Sequence, residues 1–117
     1  MRFIIYGPGA VGGTIAGHLA LHGHDVALIA RGAHRAAIVA DGLRLRSPDR
    51  DQVVRVPVVE HPGELALGDG DVVVLAMKTQ DTEAALTELA AVAPPELPVV
   101  CAQNGVENER LALRRFS

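Results

Sequence analysis

Residues 7–13 read Gly-Pro-Gly-Ala-Val-Gly-Gly, and this stretch decides the fold of the chain. It directly follows an apolar run at residues 3–6. After it, apolar side chains recur every four residues, at Val11, Ile15 and Leu19, which predicts a helix. A strand, a glycine-rich turn and a helix in this order are the context in which a G-x-G-x-x-G match predicts a dinucleotide-binding site.

Each glycine of the match has a physical role in such a site. Gly7 allows a tight turn, Gly9 leaves room for a pyrophosphate against the backbone, and Gly12 allows close helix–strand packing. The first N–H groups of the helix would face the phosphates. The alternative is a glycine-rich turn with no ligand. The residues expected to bind the pyrophosphate are Gly7, Pro8, Gly9, Ala10, Val11 and Gly12.

Length and composition limit the function classes. The 117 residues suffice for one domain, with 49% apolar and 3% aromatic residues and hence an aliphatic core. A net charge of -3 and scattered arginines argue against a nucleic-acid partner. The apolar runs are far too short to span a membrane, and a single cysteine fits a reducing compartment. We therefore expect a soluble cytoplasmic protein.

The end of the second predicted strand, at residues 25–30, indicates the cofactor type. Strand, helix and strand form a βαβ unit, with Gly23 expected as the left-handed end of the helix. NAD sites usually carry an acidic residue near this strand end, but here Arg31 follows and no acid occurs before Asp41. A cation suits the 2′-phosphate of NADP, and Arg35 could add to it. We expect NADP rather than NAD; the alternative is a solvated surface arginine.

The middle of the chain, residues 33–59, is predicted to depart from the regular alternation of strands and helices. A short helix at residues 33–40 is followed by an alternating strand at residues 43–46. The extended run at residues 53–59 contains Pro57, which favours a sheet edge. We expect a hairpin or an edge excursion here.

Two further strands, at residues 71–77 and 98–102, are continuously apolar, as expected of strands covered on both faces. Between them, Thr79 or Asp81 is expected to cap a helix. Its predicted apolar stripe consists of Leu86, Leu89, Ala90 and Ala93. A last helix is expected at residues 107–116.

The predicted fold class is α/β, a Rossmann-type doubly wound and mainly parallel sheet with helices on both faces. Ligands bind such sheets beyond the carboxyl ends of the strands. Lys78 and Asn104 follow two predicted strands, so we expect them near the glycine turn and Arg31. The alternatives are an ordinary surface lysine and, for Asn104, a common Asn-Gly turn.

Four segments together resemble the N-terminal domain of the ketopantoate reductase family, and they cover nearly the whole chain in the same order. They are Gly7-Pro8-Gly9-Ala10-Val11-Gly12-Gly13, Ala30-Arg31-Gly32, Met77-Lys78-Thr79-Gln80 and Gln103-Asn104-Gly105-Val106-Glu107-Asn108-Glu109.

This resemblance implies NADPH-dependent reduction of the 2-oxoacid 2-dehydropantoate to pantoate, in pantothenate biosynthesis. It implies that the glycines bind the pyrophosphate and that Arg31 binds the 2′-phosphate. Lys78 and Asn104 would lie near the nicotinamide and the substrate, as both cofactor-binding and catalytic residues.

The family also has a helical C-terminal domain, which carries its principal catalytic lysine and allows a homodimer. Nothing in the 117 residues matches that domain. We therefore expect a single NADP-binding domain over residues 1–117, truncated before its last strands and inactive alone. A non-catalytic NADP(H)-binding module, or a related 2-oxoacid or 3-hydroxyacid dehydrogenase, remains as an alternative.

Two other candidate sites are weaker. His18 and His22 are spaced to share a helix face, but no carboxylate or cysteine is placed beside them, so we expect no metal site. Cys101 is expected within a buried strand, as a small apolar residue rather than a nucleophile.

Overall fold

A computed structural model describes residues 1–7, 10–46 and 51–102 of the chain. Strands and α-helices alternate along it, apart from four successive strands between the second and third α-helices. In chain order the elements are β1 (Arg2–Tyr6), α1 (Ala10–Leu21), β2 (Asp25–Ile29), α2 (Gly32–Asp41), β3 (Leu43–Arg46), β4 (Asp51–Val54), β5 (Val58–Val59), β6 (Asp71–Leu75), α3 (Thr79–Val92) and β7 (Val99–Cys101). The predicted helix at residues 107–116 lies outside the described residues.

A five-stranded sheet with the order β5-β2-β1-β6-β7 forms the centre of the molecule. All of its strand pairs are parallel. Ile4 of β1 lies opposite Ala27 of β2 and Val73 of β6, so these three central strands are in register. Their carboxyl ends therefore lie together at one edge of the sheet.

The two faces of the sheet carry separate hydrophobic cores, because successive side chains of a strand point to opposite faces. Ile4 and Tyr6 belong to the core that includes Leu86 and Leu89 of α3. Ile5 belongs to the other core, which receives residues of α1, α2 and β3. Helices thus cover both faces, which confirms the predicted Rossmann-type α/β fold.

Residues 43–59 form both a hairpin and an edge strand, the two arrangements expected for this part of the chain. β3 and β4 form an antiparallel hairpin outside the main sheet. The chain then returns, and β5 pairs with β2 as an edge strand. Pro57 fits this edge because only its carbonyl is used, as acceptor for the Leu28 N–H at 2.9 Å.

Two details of α3 differ from the prediction. Lys78 precedes the helix as its N-cap residue, and its side chain makes no capping hydrogen bond, so neither Thr79 nor Asp81 is the N-cap residue. The buried stripe consists of Thr82, Ala85, Leu86 and Leu89, whereas Ala90 is exposed. The expected spacing was right, but the buried face extends back by one turn.

The remaining local predictions are confirmed except in strand length and burial. Gly23 has a φ of +83° directly after α1, in the left-handed region where glycine carries no steric penalty. β6 ends at Leu75 and β7 at Cys101, both earlier than expected. Cys101 is only half-buried, because among the described strands β7 is an edge.

None of the three helices in the described part of the chain combines the length and hydrophobicity that crossing a bilayer requires.

Candidate cofactor site

The site is built on the carboxyl ends of the three central strands. Gly7 follows β1, Arg31 follows β2 after one residue, and Met77 and Lys78 follow β6. Backbone hydrogen bonds hold the strand ends together, because the Gly7 N–H donates to the Ile29 carbonyl at 3.0 Å. The Ala76 N–H likewise donates to the Tyr6 carbonyl at 2.9 Å.

Gly7 is required both by its backbone angle and by its neighbour. Its φ is +81°, a backbone conformation that residues other than glycine rarely adopt. A Cβ atom at Gly7 would also lie 2.6 Å from Met77 Cβ. The turns after β1 and β6 are therefore in direct contact, with no room for another side chain.

Gly12 has the close packing that was expected of the third glycine. A Cβ atom there would lie 2.8 Å from Ala76 Cβ and 3.0 Å from the Gly7 carbonyl oxygen. The first turns of α1 thus rest against the ends of β1 and β6. This contact holds the start of the helix at the edge of the sheet, where its free N–H groups are available to an anion.

A cavity of about 300 Å³ opens beside this turn, between the strand ends and α3. Its volume is at the lower end of the range for small-molecule sites. The residues that line it are Tyr6, Gly7, Ile29, Ala30, Arg31, His34, Met77, Asp81, Ala84, Ala85 and Glu88.

Arg31 is held at the rim of this cavity by three groups. Its Nη2 donates to Glu88 Oε2 in an ion pair, and lies 3.5 Å from the Tyr6 hydroxyl. Its Nε donates to the Glu60 carbonyl at 3.2 Å. The guanidinium therefore has a defined position even though the side chain is 55% exposed.

Two acidic residues, Asp81 and Glu88, line the cavity, and Glu88 is the one paired with Arg31. Besides Arg31, it accepts a hydrogen bond from the Tyr6 hydroxyl at 3.1 Å. Partial burial raises the pKa of Glu88, but the hydrogen bonds from Arg31 and Tyr6 outweigh it and leave the pKa below its usual value. Burial, together with the Glu88 charge, raises the pKa of Tyr6. Glu88 is thus ionised and Tyr6 neutral at neutral pH.

A capped turn after β5 brings a histidine to the same carboxylate. His61 Nε2 lies 3.5 Å from Glu88 Oε2, while His61 Nδ1 accepts from the Gly63 N–H at 2.9 Å. The Glu64 carboxylate accepts from the N–H groups of Glu60 and His61 at 2.8 and 2.9 Å. These bonds define the turn that also presents the Glu60 carbonyl to Arg31.

The predicted site residues are only partly brought together. Gly7 and Arg31 line one cavity. Lys78 is exposed next to it, beyond Met77, at the strand end where it was expected. The backbone of Ala10 and Val11 forms the start of α1. Pro8, Gly9 and Asn104 lie outside the described residues.

Arg35 does not take the place suggested for it beside Arg31. His34 lines the cavity instead, and Arg35 is half-buried on α2. Hydrogen bonds from the His61 and Glu60 N–H groups lower the pKa of Glu64, and the charge of Arg35 adds a smaller effect in the same direction. Arg35 is therefore not part of the cavity wall.

Tyr6 and Glu88 were not predicted from the sequence as residues of the site. Tyr6 had a usable signal, since it is a polar aromatic residue at the end of the central strand. For Glu88 the signal is helical spacing, because Asp81, Ala84, Ala85 and Glu88 recur at i, i+3, i+4 and i+7 and so share one face of α3. This face looks onto the cavity.

His18 of α1 and His22, which follows that helix, form a local contact rather than a cluster. His22 Nδ1 lies 2.8 Å from the His18 carbonyl oxygen. Across residues 1–7, 10–46 and 51–102, no three His, Cys, Asp or Glu side chains converge in a way that could hold a metal ion.

Comparison with known proteins adds independent findings. Residues 3–117 match the family model described as ketopantoate reductase PanE/ApbA. A 2-dehydropantoate 2-reductase of Mesorhizobium japonicum is 40% identical over 91% of this chain and 32% of its own length. The crystal structure of a PanE/ApbA family ketopantoate reductase from Ralstonia eutropha JMP134 superposes with a TM-score of 0.83 and 36% identity, covering 97% of this chain and 38% of that one. The chain thus spans about a third of the length of such relatives.

Proposed function

Because the chain belongs to the ketopantoate reductase family, we propose that it forms the NADP(H)-binding part of an enzyme that reduces 2-dehydropantoate to pantoate. The observation that carries the proposal is the shared cavity, which is lined both by Gly7, where the glycine turn begins, and by Arg31. A dinucleotide needs both features, one for the pyrophosphate and one for the ribose end.

The residues present fit a dinucleotide. Gly7 and Gly12 keep side chains away from the turn and bring the start of α1 against the sheet. An anion there would meet backbone N–H groups and the positive end of the helix dipole. Apolar side chains of Ile29, Ala30 and Met77 line part of the wall and suit an adenosine moiety.

Arg31 supports NADP as the cofactor. It is an exposed cation at the end of β2, where the 2′-position of the adenosine ribose lies in a Rossmann site. A guanidinium can donate two parallel hydrogen bonds to a phosphate. In this proposal Arg31 recognises the 2′-phosphate.

Bound NADPH would supply the hydride for the reduction. The chain's own contribution to the chemistry is the positive charge of Lys78, placed at the end of β6 beside the cavity. An ammonium can orient the substrate carboxylate and stabilise negative charge developing on the carbonyl oxygen. We assign Asn104, from the strand-end motif that follows β7, to hydrogen bonding at the same place. The acid that protonates the alkoxide oxygen, and so gives the alcohol, would come from outside residues 1–117.

The test of this proposal follows NADPH absorbance in the full-length protein with 2-dehydropantoate. We expect Lys78→Ala to lower kcat about 10²-fold or more, because it removes charge stabilisation in the transition state. The affinity for NADPH should fall by less than about threefold, a difference of under ~0.7 kcal/mol. Lys78→Arg is the matched control that keeps the charge, and it should retain more activity than the alanine variant.

Two outcomes would contradict the proposal. A full-length protein that binds NADPH but does not oxidise it with 2-dehydropantoate has another substrate. Near-normal turnover by residues 1–117 alone would show that the acid lies within this chain.

A further inference from the structure

Glu88 accepts a hydrogen bond from Nη2 of Arg31, at an edge of the guanidinium that can bind a phosphate. We propose that Glu88 is a specificity-determining residue, which competes with the 2′-phosphate for Arg31 and so narrows the preference for NADP(H) over NAD(H). The inference rests on the proposed function, since it concerns the same cofactor site.

The competition follows from the hydrogen bonds of Arg31. Its Nη2 is engaged by the Glu88 carboxylate and its Nε by the Glu60 carbonyl. These two nitrogens form one edge of the guanidinium, which is an edge that grips a phosphate with two parallel bonds. A 2′-phosphate can take this edge only if it displaces the Glu88 carboxylate from Nη2 and the Glu60 carbonyl from Nε.

Glu88 is not an accidental surface contact, because several groups hold its carboxylate in place. The hydroxyl of Tyr6, whose body is buried in the core, donates to it at 3.1 Å. His61 Nε2 approaches to 3.5 Å from the capped turn on the other side. The Glu88 side chain is only 27% exposed, so it has limited freedom to move away when a ligand arrives.

The same carboxylate has a different effect on NAD(H). Without a 2′-phosphate, the ligand neither needs the Arg31 edge nor is repelled by Glu88. An ionised carboxylate near the end of β2 is moreover the group that accepts hydrogen bonds from the ribose hydroxyls in NAD sites. No acidic residue lies between the end of β2 and Asp41 in the sequence, but the fold brings Glu88 of α3 next to Arg31 at the end of β2.

The experiment compares nucleotide affinities of wild-type full-length protein with those of Glu88→Gln. Fluorescence titration with NADPH and NADH is paired with the fragments adenosine 2′,5′-bisphosphate and 5′-AMP, which report only the adenosine half. We expect Glu88→Gln to tighten NADPH and the bisphosphate about five- to fiftyfold, since a like charge is removed beside the phosphate. NADH and 5′-AMP should bind equally well or more weakly.

The matched control is Glu83→Gln on the exposed side of α3. It changes the net charge equally but lies outside the cavity wall, so the NADPH to NADH ratio should stay unchanged. Glu88→Ala serves as a second variant and should shift the ratio in the same direction. Circular dichroism verifies that each variant is folded.

The outcomes separate this inference from the proposed function. If NADPH binds wild type and Arg31→Ala weakens it, while Glu88→Gln leaves the NADPH to NADH ratio unchanged, Glu88 has no role and only the inference is wrong. If Glu83→Gln shifts the NADPH to NADH ratio as much as Glu88→Gln does, the shift comes from the net charge of the protein, and the inference is again wrong. If no adenine nucleotide binds wild type, both the proposed function and the inference are wrong.

Discussion

Two arginine–carboxylate pairs stand at opposite edges of the sheet, and they differ in burial and in geometry. At the amino edge, Arg2 donates two hydrogen bonds of 2.9 Å to Asp71, whose side chain is 8% exposed. The Gly68 N–H adds a third bond to Asp71 at 3.0 Å. At the carboxyl edge, Arg31 and Glu88 are paired through one nitrogen and are 55% and 27% exposed.

The difference indicates which pair holds the fold and which serves a ligand. Removing one partner of a largely buried pair leaves a poorly solvated charge without its partner, whereas exposed pairs contribute little because water replaces either partner. With Arg2 27% and Asp71 8% exposed, the amino-edge pair is the more buried of the two. The Arg31–Glu88 pair also borders the cavity, so a ligand can exchange with one of its members. We infer that the Arg2–Asp71 pair stabilises the sheet and that the Arg31–Glu88 pair is available for recognition.

Breaking the amino-edge pair should give the largest effect. We expect Asp71→Ala to lower the free energy of unfolding by about 2–3 kcal/mol, because Arg2 and the Gly68 N–H both lose their acceptor. Urea denaturation measures this change. NADPH affinity should stay within about twofold of wild type.

Asp69→Ala is the control for that experiment. Asp69 is exposed in the same turn and carries the same charge, so its replacement should cost less than about 0.5 kcal/mol. Equal losses in the two variants would show that the turn sequence, rather than the ion pair, determines stability here.

Breaking the carboxyl-edge pair should have the opposite result, a large loss of NADPH affinity with little loss of stability. We expect Arg31→Ala to weaken NADPH binding about ten- to hundredfold, the equivalent of one charge-assisted hydrogen bond or slightly more. NADH binding and the urea midpoint should hardly change. Fluorescence titration gives both affinities.

The matched control is Arg44→Ala, which removes an exposed arginine paired with Asp51 in the β3–β4 hairpin. It should affect neither cofactor. Equal weakening of NADPH and NADH by Arg31→Ala would instead assign Arg31 to a part of the site common to both.

The pH dependence of stability should also distinguish the Arg2–Asp71 pair from the Arg31–Glu88 pair, by a smaller effect than the substitutions above. The Arg2 guanidinium holds the pKa of Asp71 below its usual 3.8, and Arg31 with Tyr6 holds that of Glu88 below 4.5 despite partial burial. A lowered pKa in the folded state stabilises the protein above the unfolded pKa, and this stability is lost as pH falls through the folded value. The loss should therefore begin near the two ordinary values and continue below them.

We expect the stability difference between wild type and Asp71→Asn to shrink as the pH falls below about 4. Glu88→Gln should show a smaller difference from wild type at every pH, because its pair is more exposed. Urea unfolding curves collected across this range provide the measurement. A larger pH-dependent change for Glu88→Gln would contradict the assignment of the two pairs.

Local sequence patterns were sufficient for most of the architecture. The glycine turn, the apolar strands and the helical spacing predict the β1-α1-β2 unit and the order of elements, since each depends on neighbouring residues. Such patterns were insufficient for the length of strands and the rotation of helices. Ala90 was placed in the core because spacing alone does not say at which turn the buried face of α3 begins.

The site shows the same division. The sequence alone determined that a cation, Arg31, follows the second strand and that Gly7 and Gly12 surround a tight turn, because these are properties of short segments. Only the tertiary structure decided what Arg31 contacts. Glu88 lies 57 positions further along the chain than Arg31. The two residues meet because β1 lies between β2 and β6, and because the face of α3 that carries Glu88 packs next to the Tyr6 hydroxyl. Such a contact depends on how separate elements pack against one another, and no local pattern carries that information.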